Sequence, residues 1–241
     1  MATFSDTSTN TGLVQQIRKM MRVDSAQWPT ANIVASCNNW LDFISGYAIG
    51  ADKRFQWDDT NHTKLPIGTT NLVANQSDYS FLTDEQSNTI ITLTRIDMLR
   101  ATGGDYKQLL PIDHTQIDGA LDEFYSATGV PEYYDKIADN IIRLYPTPSA
   151  SITSGLKFYF QRSPSYFVAA DTTKSPGVAP ILHRGFVIAS AYDGALTLGL
   201  ANLQALSVER ERERQIVIDY FAKDRSQDEM ARFTPEFLSY E

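Results

Sequence analysis

Cysteine is nearly missing from this chain, histidine is scarce, and positive charge falls short of negative. Its 241 residues hold one Cys, three His, and 21 Lys and Arg against 29 Asp and Glu. A single cysteine forms no internal disulfide, and Cys37 inside a helical pattern reads as a small buried apolar residue. The histidines His62, His114 and His183 fall in a polar loop and at two helix starts, without HExxH or paired spacing. Solvated or capping roles therefore outweigh a zinc site or a catalytic triad. A net charge of −8 and a pI near 4.9 exclude a surface devoted to phosphate backbones, which draws its affinity from clustered Lys and Arg, and leave room only for a local basic patch. Long apolar runs are missing too. The longest in the C-terminal half, Gly185 to Leu200, is broken at Tyr192, Asp193 and Gly194, short of the roughly 20 residues a bilayer span needs. The start, Met1 to Asp6, lacks the basic and apolar parts of a signal peptide, so a cytoplasm is the expected place of synthesis.

What is present is a hydrophobic share of 42%, enough for a packed core. Residues 1–10 are small and polar and should be mobile unless a neighbour holds them. Leu13, Ile17, Met20 and Met21 then recur at helical spacing, with Arg18 and Lys19 on the other face. After a turn at Asp24 to Gln27, Pro29 opens a longer helix. Its stripe is Ile33, Cys37, Trp40, Leu41, Ile44 and Tyr47, with Gly46 and Gly50 as stop signals.

The texture then changes to short extended pieces, Arg54 to Trp57, Lys64 to Ile67, Thr70 to Ala74 and Asp78 to Leu82. Asn88 to Leu99 reads as a central strand with an exposed end. Asp113 to Tyr125, capped by Asp113 and striped by Ile117, Leu121 and Phe124, reads as a short helix that plugs one side of a sheet. Glu132 to Ala138, Asn140 to Tyr145 and Gly155 to Ser163 are expected to form an antiparallel meander, turning at Asp139-Asn140. Helices resume at Ile181 to Leu200 and Asn202 to Lys223. The expected fold is α+β: a helical bundle from residues 11–50 and 181–224, with an inserted antiparallel β domain, 51–180, carrying one short helix. Residues 225–241 form an extended tail in which Met230, Phe233, Phe237, Leu238 and Tyr240 stand among charges. So apolar a terminus wants a partner.

Few residues gather into chemistry. Gly103-Gly104-Asp105 lacks the spacing of a phosphate loop and reads as a hairpin turn; Asp58-Asp59 and Asp84-Glu85 read as solvated carboxylates rather than a cation site. No cofactor motif is present. The run Glu209-Arg210-Glu211-Arg212-Glu213-Arg214 allows two readings. It is a solvated helix face with pairs worth about 0.2–0.5 kcal/mol each, or it pairs with the same helix in neighbouring copies and sets register. The strand Lys157-Phe158-Tyr159-Phe160-Gln161-Arg162 has the interleaving of a nucleic-acid stacking platform, but alternation puts Phe158 and Phe160 on one face, which favours core packing.

One resemblance gives these features a direction. Ile141-Ile142-Arg143-Leu144-Tyr145-Pro146-Thr147-Pro148 is a strand ending in a Pro-x-Pro turn. It is followed by Leu156-Lys157-Phe158-Tyr159-Phe160-Gln161-Arg162-Ser163-Pro164, a strand with Tyr and Arg ending at proline, and by a proline-containing loop, Ser175-Pro176 to Pro180, leading into helix. Earlier, Leu72 to Phe81 sets a polar turn before a Tyr-bearing strand. In this order the segments resemble the head-to-tail adaptor (connector, head-completion) proteins of tailed bacteriophages, podovirus-like. The β insert and C-terminal tail are longer than in the smaller members.

The resemblance implies a non-enzymatic virion protein assembled in the host cytoplasm. It implies a ring of roughly twelve copies, a dodecamer, at the head–tail junction. Its partners would be the portal protein, neighbouring adaptor copies and a tail or nozzle protein. Double-stranded DNA would pass through the lumen without specific recognition, past an acidic wall to which a polyanion does not stick. The tail around Phe233, Phe237, Leu238 and Tyr240 would dock on the portal or on an adjacent subunit. The sequence allows two other readings. One is a carbohydrate- or receptor-binding β module of a virion, using Trp57, Tyr133 and Tyr134. The other is a hydrolase using Asp58 or Asp59 with His62, for which no nucleophile or oxyanion arrangement is in view.

Overall fold

Helices form where apolar residues recur every three to four positions or fill a long run, and strands where they alternate or cluster in short segments between turn residues. The computed structural model describes residues 2–51, 67–83, 89–112 and 126–228. The expected strands at 54–57 and 64–66 and the helix expected at 113–125 lie outside those residues. By their contacts the described residues divide into two compact units, one within Met1–Asn61 and Pro164–Glu241, the other within His62–Ser163. The protein is of mixed α+β class.

In the helical unit, α1 (Leu13–Met21) buries Leu13, Val14, Ile17 and Met21, while Met20 reaches the surface. It ends at Arg22, whose left-handed conformation (φ 60°) lets its N–H reach back to Arg18 O and Lys19 O. The second helix, α2 (Thr30–Ala51), buries Ile33, Cys37, Trp40, Leu41, Ile44 and Ala48. Gly46 sits inside it rather than ending it. A 3₁₀ turn at Pro180–Leu182 leads into α3 (His183–Leu198), which stops at Gly199 in the left-handed region (φ 64°). The last helix, α4 (Leu203–Asp228), turns Leu206, Val217 and Phe221 inward. It runs past residue 224, so 225–228 are helical and not part of an extended tail.

The organising element is α3. It packs on α1, α2 and α4, and ten of its sixteen residues are buried, which is why its sequence reads as an apolar run without a polar face. Two glycines make the close approach possible. A β-carbon on Gly185 would stand 2.7 Å from the indole nitrogen of Trp40, and one on Gly194 would run into Met21.

Among its described residues the β unit has two four-stranded sheets. The first contains β1 (Ile67–Leu72), β3 (Ile90–Leu99), β4 (Tyr106–Gln108) and β10 (Ile152–Arg162), in the order β1-β10-β3-β4, antiparallel throughout. The second contains β2 (Asp78–Ser80), β5 (Leu110–Pro111), β7 (Tyr133–Ala138) and β8 (Ile141–Tyr145), in the order β2-β8-β7-β5. Here β5 runs parallel to β7, and a separate parallel pair joins β6 (Thr128–Gly129) to β9 (Thr147–Pro148).

The hairpin β7–β8 turns at Asp139-Asn140 as expected, and β3 and β4 are joined through Gly103 (φ 80°). The three-stranded meander does not form, because β10 leaves for the other sheet. Pairing of Leu156 with Met98 and Phe158 with Ile96 instead places Leu156, Phe158 and Phe160 in one apolar cluster with Ile96, Met98, Ile142 and Leu144. Strand β3 lies between β10 and β4, as a central strand should. Its buried end is Ile96–Leu99, and Ile91 at the other end is exposed.

Candidate functional site

The six-residue charge run lies on α4, where each residue turns about 100° from the last, so it is divided between two faces. Glu209 and Glu213, one turn apart, face α3 and bind the two arms of Arg184: Nη2 donates to Glu209 Oε2 at 2.7 Å and Nη1 to Glu213 Oε1 at 2.6 Å. These bonds, to Glu209 first, raise the Arg184 guanidinium above its ordinary pKa. The Glu213 side chain is 3% exposed while Arg184 is half exposed. Removing one partner therefore leaves a buried charge at one end only, a cost of about 1–3 kcal/mol.

Arg210 lies 4.6 Å over the Tyr192 ring and acts electrostatically on Asp193. Arg214 lies 4.7 Å over Phe43 and 3.7 Å from Glu211. Only Glu211 and Arg212 face fully outward, on a stripe with Gln204, Ala205, Val208, Gln215 and Asp219. Val208 there is 64% exposed, an apolar position just ahead of the charge run. The tail residues Met230, Phe233, Phe237, Leu238 and Tyr240 lie outside the described residues.

In the β unit the segments that carried the resemblance meet. Arg143 of β8 forms a forked pair with Asp78 of β2, at 2.7 and 3.0 Å. The bond from Arg143 holds the Asp78 carboxyl below its ordinary pKa, and the same bond raises Arg143. Leu144 N–H donates to Ser77 O at 2.9 Å, Asn75 N–H donates to Pro148 O at 2.8 Å, and the Tyr79 hydroxyl accepts from Val73 N–H at 3.0 Å. The polar turn and the Pro-x-Pro turn are thus two sides of one structure. Its residues hold strands in register, and that structural task accounts for their types.

The aromatic strand is committed to the core: Phe158 and Phe160 are buried, Tyr159 is half-buried with Arg95 5.8 Å from its ring centre, and Lys157 lies 4.0 Å over Tyr106. Of the aromatics suggested for sugar stacking, Tyr133 is exposed, Tyr134 is half-buried with its hydroxyl pKa raised by burial, and Trp57 lies outside the described residues. A recess of about 300 Å³ is lined by Thr92, Leu93, Pro111, Tyr134, Lys136 and Ile142 among others.

His183 is buried, with Nε2 3.0 Å from Val178 O and Nδ1 accepting from Ala2 N–H at 3.4 Å. Cys37 is buried and its thiol is pushed up to about 12, chiefly by burial. His62, His114, Asp58, Asp59, Asp84 and Glu85 lie outside the described residues. Among the described residues no three His, Cys, Asp or Glu side chains are grouped to hold a metal, and no helix is long and apolar enough to cross a membrane.

Among the described residues, these charged and polar side chains chiefly tie elements to one another. The model of the SU10 adaptor protein family matches residues 11–234, and the chain belongs to that family of phage structural adaptors. Such a protein is a virion component that interacts with other head–tail proteins. A comparison with curated proteins finds no match.

Proposed function

We propose that this protein is a head-to-tail adaptor of a podovirus-like phage. Copies stand in a ring, roughly dodecameric, between the portal and the tail or nozzle, around a lumen through which double-stranded DNA leaves the head. The observation that carries this reading is the span of the family match, which takes in both parts of the helical unit and the whole β unit. The net charge of −8 suits a channel wall that must not retain a polyanion.

Pairing between neighbouring copies falls to Glu211 and Arg212, the two charges of the run that face outward beside the exposed Val208, because Glu209 and Glu213 are held by Arg184 within the chain. Docking on the portal falls to the apolar tail with Met230, Phe233, Phe237, Leu238 and Tyr240. Assembly takes place in the host cytoplasm.

Sedimentation of the purified chain, alone and mixed with a portal ring, tests the reading. Co-sedimentation with the portal is expected, and separate boundaries at every mixing ratio would refute it. Deleting residues 229–241, which leaves α4 whole, should abolish co-sedimentation; undiminished binding would remove the tail from the docking role.

A further inference from the structure

The first residues have the composition of a loose end, yet residues 2–6 lie along the helical unit as a strap. Phe4 has no exposed surface, and its ring stacks on Phe167 with centres 4.7 Å apart. That seat is built by other elements. Phe167 meets Phe186 of α3 edge-on at 6.2 Å, and its backbone is fixed to α2 through Asn38, which accepts from Phe167 N–H at 2.9 Å and donates to Phe167 O at 3.1 Å.

The strap's backbone bonds go to two places. Phe4 N–H and Ser5 N–H donate to Lys174 O and Thr172 O, at 2.8 and 3.1 Å. Thr3 O and Phe4 O accept from Leu13 N–H and Val14 N–H, at 2.9 and 3.0 Å. The latter two are first-turn donors of α1 that its N-cap, Gly12, has no side chain to satisfy. The strap therefore caps α1 while it holds residues 172–174. The hinge between them is polar and self-contained. The Asp6 carboxylate accepts from Ser8 N–H, Thr9 N–H and the hydroxyls of Ser8, Thr9 and Thr11, and the Gln15 amide clasps Asp6 N–H and Ser5 Oγ.

We propose that residues 2–11 are a latch that opens as one unit ahead of the rest of the helical unit. Phe4 leaves its aromatic seat, the first turn of α1 loses its cap, and residues 172–174 are released, while the packing of α3 on α2 and α4 stays closed. The reason is the distribution of contacts. Phe4 is the only large apolar side chain of residues 2–11; beside it the small side chain of Ala2 packs on the core, and the rest of what holds the strap is hydrogen bonds that water can replace.

Hydrogen exchange of the full chain, resolved by residue, tests this. The amides of Phe4, Ser5, Leu13 and Val14 are expected to exchange at one common rate, at least tenfold faster than Ile188 to Ala191 in α3. In Phe4→Ala the four should accelerate by a further hundredfold or so, with the α3 amides unchanged. Gln15→Ala, which opens the clasp without touching the seat, should accelerate the same four by less. Exchange of the four together with α3 in the unmodified protein would overturn the proposal. So would failure of Phe4→Ala to fold, because the strap would then be core and not latch.

Discussion

The two units solve the same problem, a stable core, by different means. The helical unit packs α1, α2 and α4 around α3, and two glycines of α3 stand tight against Trp40 and Met21. The β unit stacks residues from long and short strands, and its outer register is set by ion pairs such as Asp78–Arg143 and by turns. The difference teaches where each unit is vulnerable. A densely packed helix interface punishes added volume, because interiors pack like crystals and cannot absorb a methyl group without moving neighbours. A register held by half-exposed charges loses little when one is removed, because water screens them.

The largest effect should come from Gly194→Leu. It forces side-chain volume into Met21, so the helical unit should lose about 3 kcal/mol or fail to fold, read as a fall in the melting temperature or loss of helical circular dichroism. Gly103→Ala, at a positive-φ turn of the β unit with open space around it, should cost only about 1 kcal/mol. Equal losses would erase the contrast. Next in size is the charge run. Arg184→Ala strands the buried Glu213 carboxylate and should cost about 1–3 kcal/mol, whereas Glu211→Ala should stay within about 0.5 kcal/mol in the same denaturation series.

The smallest effects are those of pH, and they should have opposite signs. Asp78 in the β unit is held below its ordinary pKa by Arg143. Its stabilising contribution is present above the unfolded value of about 3.9 and lost as pH falls through the folded pKa. Asp193 in the helical unit is raised by burial, against the pull of Arg210 and Ser36. Its contribution is present below the unfolded pKa and lost as pH rises through the folded one. The cost of Asp78→Asn should therefore shrink as pH is lowered through about 4, while Asp193→Asn should gain stability relative to the unmodified protein as pH rises above it. Denaturation of both variants at several pH values reads this directly, and parallel trends would contradict it.

How far the sequence shows these things depends on how local their causes are. The stripes of α1, α2 and α4 are local, and so are the turns at Asp139-Asn140 and Gly103, and all are legible. The partner of β10 is not: Phe158 pairs with Ile96 across 62 residues, and no periodicity within 152–162 says which strand will be there. The charge run shows the same limit. Its i, i+3 spacing is plain, but Arg184, which divides it into an inner and an outer half, stands 25 and 29 residues away. Phe4 is one aromatic in a polar stretch, and composition, which averages over the window, hides it. The Leu72–Phe81 and Pro-x-Pro segments could be recognised as motifs, yet only their hydrogen bonds to each other show that their task is one turn of structure.

The most direct test of the central claim is the mass of the complex formed when the full chain saturates a portal ring, measured by native mass spectrometry. The account predicts a single species heavier than the portal by a fixed whole number of 27.0 kDa chains, near twelve, with no further uptake in excess protein. A portal ring whose mass stays unchanged, or that takes up chains without a limit, would contradict it.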